Sequence, residues 1–595
     1  MILSSLVLTG CQDDIDLDPL DNSAPVEARV RPSPILGGTL TLSGDGGLAI
    51  ASDPDRDLIH VVDLSTNKVR HTVALADGDR PHRVIFGSEG QVHVVLRGPG
   101  ELATLDPVAG TVTARVPLCP EPRGIALDPG DASLYAACAG GSLLHLSETG
   151  ELLERFELEP DLRDVLIVDG KVMVSLFRSA SLLGLDGTRV VIPSINDSVP
   201  HVAWRTWVTP DGEIAMLHQL ASTQPVPIDP EPGEIPEESA PYGGGGGGCE
   251  LGIVNAAITT IAYGEVTTTP LVDSNLTVDA AFSPDGGWVA MAVPGALPLE
   301  EQADTSKKKD RGRDTRFDDF DLFGGDLLRQ TVRVDPKHDP GCFPMVTEDD
   351  YGQVTAVAFA ADGRLIMQSR EPARLMVRDD ATGGALTTIA LEGEARFDTG
   401  HEIFHRATKS GLSCASCHPE GTDDGHVWDF EGLGPRRTQA IDVGLRDTAP
   451  YHWDGDMPDF DVLMSEVLAH RMGGKRQSPD RSDSFTRWIF DQERPAAHSG
   501  VDALATIENG KALFTAYECS KCHDGAALGG TRTERIAGEE KQVPTLRRIS
   551  LHPPYMHDGR SKTLEAAVRD MIETTRSTSA PDVDVDAIAA YLRTL

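Results

Sequence analysis

No stretch of this 595-residue chain approaches the roughly 18 to 20 consecutive apolar residues that a membrane-spanning helix needs. Basic residues are also in deficit. Fifty-three Lys and Arg stand against 93 Asp and Glu, a formal net charge of −40. Nucleic acid binding draws on Lys and Arg against phosphate, so no nucleic acid partner is expected. The acidic balance suits a basic redox partner, and equally a plain solvated surface. Cysteine is scarce, at nine residues. What is present is ordinary for a soluble globular protein, with 40% hydrophobic and 25% charged residues. The length exceeds what one core supports, so two or more domains are expected.

Four of the cysteines fall in one pattern that occurs twice. Cys414-Ala415-Ser416-Cys417-His418 and Cys519-Ser520-Lys521-Cys522-His523 are both C-x-x-C-H. This is the attachment signature of c-type haem, in which the thiols bond to the ring and the histidine becomes the proximal iron ligand. Cys414, Cys417, Cys519 and Cys522 are therefore the expected attachment residues of two haems, with His418 and His523 on the irons. Leu8-Thr9-Gly10-Cys11 resembles a bacterial lipobox, which implies a signal over 1–11 and a lipid anchor on Cys11. Haem attachment of this kind takes place outside the cytoplasm. The expected location is thus the periplasm or cell surface, lipid-anchored to the bacterial envelope. Cys119, Cys138, Cys249 and Cys342 remain for two disulfides, with three connectivities open.

After a linker over 12–37, residues 38–395 read as strands divided by Gly, Asp and Pro turns. Strand–turn–strand units begin at Leu40, Val84, Ile125 and Val165, and again at Trp207, Ala281 and Ala358. The first five recur about every 40 residues, the period of a β-propeller blade. Seven starts predict about seven blades. The units resemble YVTN-type surface-layer propellers, as in Ile59-His60-Val61-Val62-Asp63-Leu64-Ser65-Thr66-Asn67. That resemblance carries no catalytic motif and leaves the propeller's ligand unidentified. Two insertions, near 225–248 and 303–321, are rich in Pro, Glu, Gly or charge and read as disordered.

From 396 the pattern turns helical, and it is duplicated. Gly400-His-Glu-Ile-Phe404 and Gly510-Lys-Ala-Leu-Phe514 lead into the two haem motifs. Pro450-Tyr451-His452-Trp453-Asp454-Gly455 follows the first, and Pro554-Tyr555-Met556-His557-Asp558-Gly559-Arg560 the second. Helices are expected at 460–470 and 564–572. This places one cytochrome c lobe at 396–500 and another at 501–595. With Val543-Pro544-Thr545-Leu546-Arg547, this part is identified as resembling the di-haem cytochrome c peroxidase family. The fold class is therefore multidomain: an all-β propeller followed by a mainly α di-haem cytochrome c domain.

The resemblance implies that hydrogen peroxide reacts at the first haem, and that the second receives electrons from a small redox protein. It also raises an interlobe calcium. Aligning the lobes sets His452 opposite Met556, the expected sixth ligands of the first and second irons. Methionine ligation raises the potential relative to bis-histidine. Residues 531–542 hold neither Met nor His, which leaves Met556, His557 or an open position on the second iron. The family's first lobe places a Gln and a Glu after this turn to assist peroxide cleavage. Leu463 and Arg471 stand at the comparable places here, so His426, His452 or Glu466 is expected to substitute, with His452 and Glu466 as the catalytic candidates. Arg436, Arg437, Arg547 and Arg560 are candidates for haem propionates. Trp428 and Trp453 are candidates for an electron relay or for core. Two rival readings stay open: an electron-transfer cytochrome with six-coordinate haems, and a propeller-based binding protein with accessory haems.

Overall fold

In each repeat, runs of Val, Ile, Leu and Ala become strands whose burial falls from the inner part of a blade outward. In the second repeat, Val92–Leu96 is buried at every position, while Thr111–Pro117 is largely exposed. Such a gradient follows when a sheet is sandwiched between neighbours and only its outer strand meets water. The Asp-Gly turns that punctuate the repeat place Gly46, Gly212 and Gly363 at φ of +68°, +80° and +92°. A Cβ disfavours that region.

The computed structural model describes residues 20–228, 242, 251–271, 274, 276–295, 331–337, 351–408, 410–492, 494 and 502–595. Residues 1–11 with Cys11, together with Cys249, Cys342, 303–321 and most of 225–248, lie outside them. Seven antiparallel sheets follow one another in chain order. They span 40–74, 81–117, 122–157, 162–191, 198–271, 279–336 and 354–390, and form blades one to seven of a β-propeller. Each has four strands except blade six, with three among the described residues. Side chains close the ring between blades seven and one. Gln368 accepts from Thr39 Oγ1 and donates to Ser52 O, both at 2.8 Å. Among the described residues a disulfide, Cys119–Cys138, ties the start of blade three to its second strand.

The rest of the chain is mainly helical and built twice. The first lobe has α1 (Thr399–His405), α2 (Cys414–Cys417), α3 (Phe460–Leu463), a π-helical turn at Met464–Arg471 and α4 (Pro479–Phe490). The second has α5 (Leu504–Ala516), α6 (Leu564–Arg576) and α7 (Asp582–Leu592). Matching short bridges, Tyr451 with Met457 and Tyr555 with Ser561, close the same turn in both lobes. Residues 20–37, expected as a linker, are held along the first lobe. Asp21 bridges to Gln477, Trp488 Nε1 donates to Pro32 O at 3.0 Å, and Ile35 N donates to His405 Nε2 at 3.0 Å.

Buried charge joins the helical part to the propeller. Glu420, just past the first haem motif, sits at φ +53° with its carboxylate among propeller arginines. Arg97 Nη1 donates to its Oε2 at 2.9 Å, and Arg163 pairs with its Oε1 at 2.6 Å. Burial opposes ionisation of Glu420, but Arg163 and Arg97 override it and hold the carboxyl well below its usual range. Nearby, Arg178 Nη2 and Arg437 Nη2 reach Asp423 at 3.1 and 2.7 Å. His552 of the second lobe lies between Asp423 at 2.5 Å and Asp442 at 3.2 Å. Burial opposes its charge, yet the two carboxylates raise its pKa. Arg548 completes the seam, reaching Asp442 at 3.1 Å and Glu121 of the propeller at 2.5 Å.

Removing one partner of a buried pair leaves the other charge uncompensated. Glu420→Gln is expected to cost about 3–5 kcal/mol, read by chemical denaturation. A loss below about 1 kcal/mol, the scale of an exposed pair, would contradict this account of the interface.

Candidate functional site

The two C-x-x-C-H motifs line one continuous cavity of about 1140 Å³ in the helical part. That exceeds the roughly 300–1,000 Å³ usual for a single small-molecule pocket. Cys414, Cys417, His418, Cys519, Cys522 and His523 all face it. Each pair of cysteines is held by a short helical turn, and none of the four is in a disulfide. A capping box in which Ser413 and Ser416 bond reciprocally fixes the start of α2. Burial pushes the Cys414 thiol up to about 12 and that of Cys417 well above its usual value. Each motif histidine sets Nδ1 against a backbone carbonyl at 3.2 Å, Thr422 O for His418 and Leu528 O for His523. Such an outer contact orients a ligating imidazole and fixes its tautomer. The donor set fits covalent c-type haem.

Other candidates reach the same cavity. His452 and Met556 occupy equivalent corners of the repeated turn at φ +63° and +70°, and both line it. His452 Nδ1 lies 3.4 Å from Asp456 Oδ1. His557, Leu463 and Arg471 also face the cavity. Glu466 does not. It is exposed on the outer side of the π-helical turn, because Met464 and Leu468 take the core side and Val467 and Arg471 the cavity side. His426 is likewise outside, packed 5.0 Å from His201 of blade five and 4.4 Å from Trp428, and burial takes its pKa down to about 4.

The four candidate arginines line the cavity, but already have partners. Arg436 grips Asp454 through two bonds of 3.0 and 3.1 Å, Arg437 is paired with Asp423, and Arg560 with Asp558 and Asp570. Arg547 donates to Ala526 O at 2.9 Å. Trp428 is core, with Nε1 on Thr438 Oγ1 at 3.2 Å. Trp453 lies where the lobes meet. Its Nε1 donates to Arg437 O at 2.6 Å, its carbonyl accepts from Gln542 N, and its ring lies 6.4 Å from His557. Among the described residues there is no group of three or more His, Cys, Asp or Glu arranged to hold a separate metal ion.

One residue went unread in the sequence. Met571, on α6, faces the cavity. Phe460 and Leu564 open the corresponding helices of the two lobes, and seven residues further on stand Val467 and Met571. Both line the cavity, so the duplicated position carries sulfur in one lobe and hydrocarbon in the other. The signal was present in the i, i+4, i+7 series Leu564, Val568, Met571, which marks one helix face.

Residues 507–595 match the family model for Cytochrome c. The cytochrome c551 peroxidase of Nitrosomonas europaea is 26% identical over 280 residues, covering 35% of this chain and 82% of that protein. The cytochrome c peroxidase Ccp of Escherichia coli is 28% identical over 137 residues, 19% of this chain and 28% of its own length. Among solved structures, hydrazine synthase of Kuenenia stuttgartiensis gives a TM-score of 0.42 at 18% identity, over 61% of this chain and 99% of that one. Virginiamycin B lyase from Staphylococcus aureus gives 0.38 at 10%, over 58% and 94%. The chain thus joins a seven-bladed β-propeller to a C-terminal cytochrome c domain whose relatives include bacterial cytochrome c peroxidases.

Proposed function

We propose that the helical part carries two covalent haems and acts, outside the cytoplasm, as a peroxidase. A small redox protein would deliver electrons to the second lobe, and hydrogen peroxide would be reduced in the first. The observation that carries this reading is the Met571/Val467 difference at one duplicated helix position facing a shared cavity. When bound, haem would supply the one-electron chemistry, and the side chains lining the cavity would set what each haem can react with.

In this reading Cys414, Cys417, Cys519 and Cys522 form the thioethers, and His418 and His523 are the proximal ligands. Met571 would hold the second lobe's haem from the cavity side, in preference to Met556, because its helix supplies a rigid platform while Met556 sits on a left-handed turn corner. In the first lobe the matching Val467 has no donor atom. His452, on the turn with Asp456 beside it, is the displaceable candidate there. Trp453, between the lobes, is placed to couple them. The Cys119–Cys138 disulfide supports an oxidising compartment, and a lipid anchor at Cys11 is part of the proposal.

An electron-transfer cytochrome is the second reading, and it requires His452 to hold the first iron firmly. The propeller-binding reading has less support, because the arginines Arg97 and Arg163 already grip Glu420.

Intact-mass and haemochrome measurements are expected to give two haems per chain, and one for the C519A/C522A variant. Met571→Ala is expected to lower the second haem's potential and abolish the charge-transfer band of methionine-ligated ferric haem, while Met556→Leu leaves both unchanged. The reverse result would assign the ligand to Met556. In absorption and EPR titrations of oxidised and half-reduced protein, a high-spin iron that reacts with peroxide is expected. Two low-spin irons indifferent to peroxide would reduce the function to electron transfer.

A further inference from the structure

Where the family resemblance implies a Gln and a Glu, the first lobe carries Leu463 and Arg471, and a connection of the propeller reaches the cavity beside them. Between the second and third strands of blade five, Val226 pairs in parallel with Phe430 of the first lobe. Val226 N donates to Asp429 O at 2.7 Å, and Glu431 N donates to Val226 O at 2.9 Å. Further along the same connection, Tyr242 N donates to Arg471 O at 3.0 Å, and the Tyr242 ring stacks on Phe430 at 5.6 Å. The Tyr242 hydroxyl accepts from Arg471 Nη1 at 3.3 Å. Tyr242, Ile253 and Arg471 line the cavity with Cys417 and His418. Tyr242 also belongs to the apolar cluster that contains Cys417 and Val467.

We propose that Tyr242, supplied by the propeller, is a catalytic hydrogen-bond donor over the first haem, acting with the Arg471 guanidinium on bound peroxide. The inference rests on the peroxidase reading and deepens it. Val467 and Arg471 lie one turn apart on the cavity side of the π-helical segment, a distortion often found at functional sites. Peroxide admitted to this part of the cavity would meet both donors, which line it side by side. The O–O bond breaks as two electrons arrive from the redox-protein donor, and two solvent protons complete two waters. Charge builds on the departing oxygen. Arg471 offsets it, while the Tyr242 hydroxyl donates to it. A guanidinium accepts no proton, so the phenol is the member of the pair able to pass one on.

The test uses the full-length, haem-loaded protein. Fluoride, a small anion that binds high-spin ferric haem and takes hydrogen bonds from neighbouring donors, is titrated in oxidised and half-reduced samples. Tyr242→Phe keeps the ring and its stacking on Phe430, and is expected to weaken fluoride binding about tenfold, the scale of one hydrogen bond to a charged partner, and to slow peroxide reduction to match. Tyr242→Phe with Arg471→Gln should weaken it further, with the unliganded spectrum unchanged. If Tyr242→Phe equals the wild type in both fluoride affinity and peroxide rate, the tyrosine is structural and the inference falls alone. If the wild type itself binds no fluoride and leaves peroxide unreacted, the peroxidase reading falls and takes the inference with it.

Discussion

The burial of two carboxylates immediately beyond the first haem motif is the constraint on which the architecture turns. Glu420 and Asp423 leave water entirely, and each is met by arginines from the ring: Arg97 and Arg163 for one, Arg178 for the other. Desolvating a charge is costly, and only close, geometrically good partners return that cost. The arrangement therefore has few alternatives. Once the acidic loop enters the ring, the positions of Cys414 to His418 are set relative to blades two and four. His552 and Arg548 extend the same network to the second lobe, so three bodies share one polar seam.

Much of the scaffold was legible in the residues. All seven repeat starts, from Leu40 to Ala358, lie in the first strand of successive blades, because strand and turn preferences repeat with the blade period. The two C-x-x-C-H motifs were equally plain, since each is five contiguous residues. The seam was not legible. Arg163 and Glu420 are far apart in sequence, and nothing local distinguishes either from a solvated surface charge. The contacts of 20–37 were hidden for the same reason: their partners, among them His405 and Trp488, lie hundreds of residues away.

Within the site, internal duplication was a good guide with one blind spot. It set His452 opposite Met556, and the two occupy equivalent turn corners that reach the cavity. The parallel was not carried on into the helices, where Val467 answers Met571. Glu466 was chosen by residue type, and helix phase then turned it outward. Tyr242 was hidden differently. It sits in a stretch dominated by Pro, Glu and Gly, whose composition gives no sign of an aromatic anchored to another domain by Phe430 and Arg471.

The depth at which the Glu420 and Asp423 pairs lie also separates two kinds of electrostatics by ionic strength. Exposed charges are screened over a Debye length of about 8 Å at physiological salt, whereas pairs shut away from solvent are screened far less. The union of ring and helical lobes accordingly depends less on salt. Encounters steered by the outer surface, with its net charge of −40, weaken as salt rises. Salt therefore acts more on how fast charged partners find the outer surface than on the joint between ring and lobes.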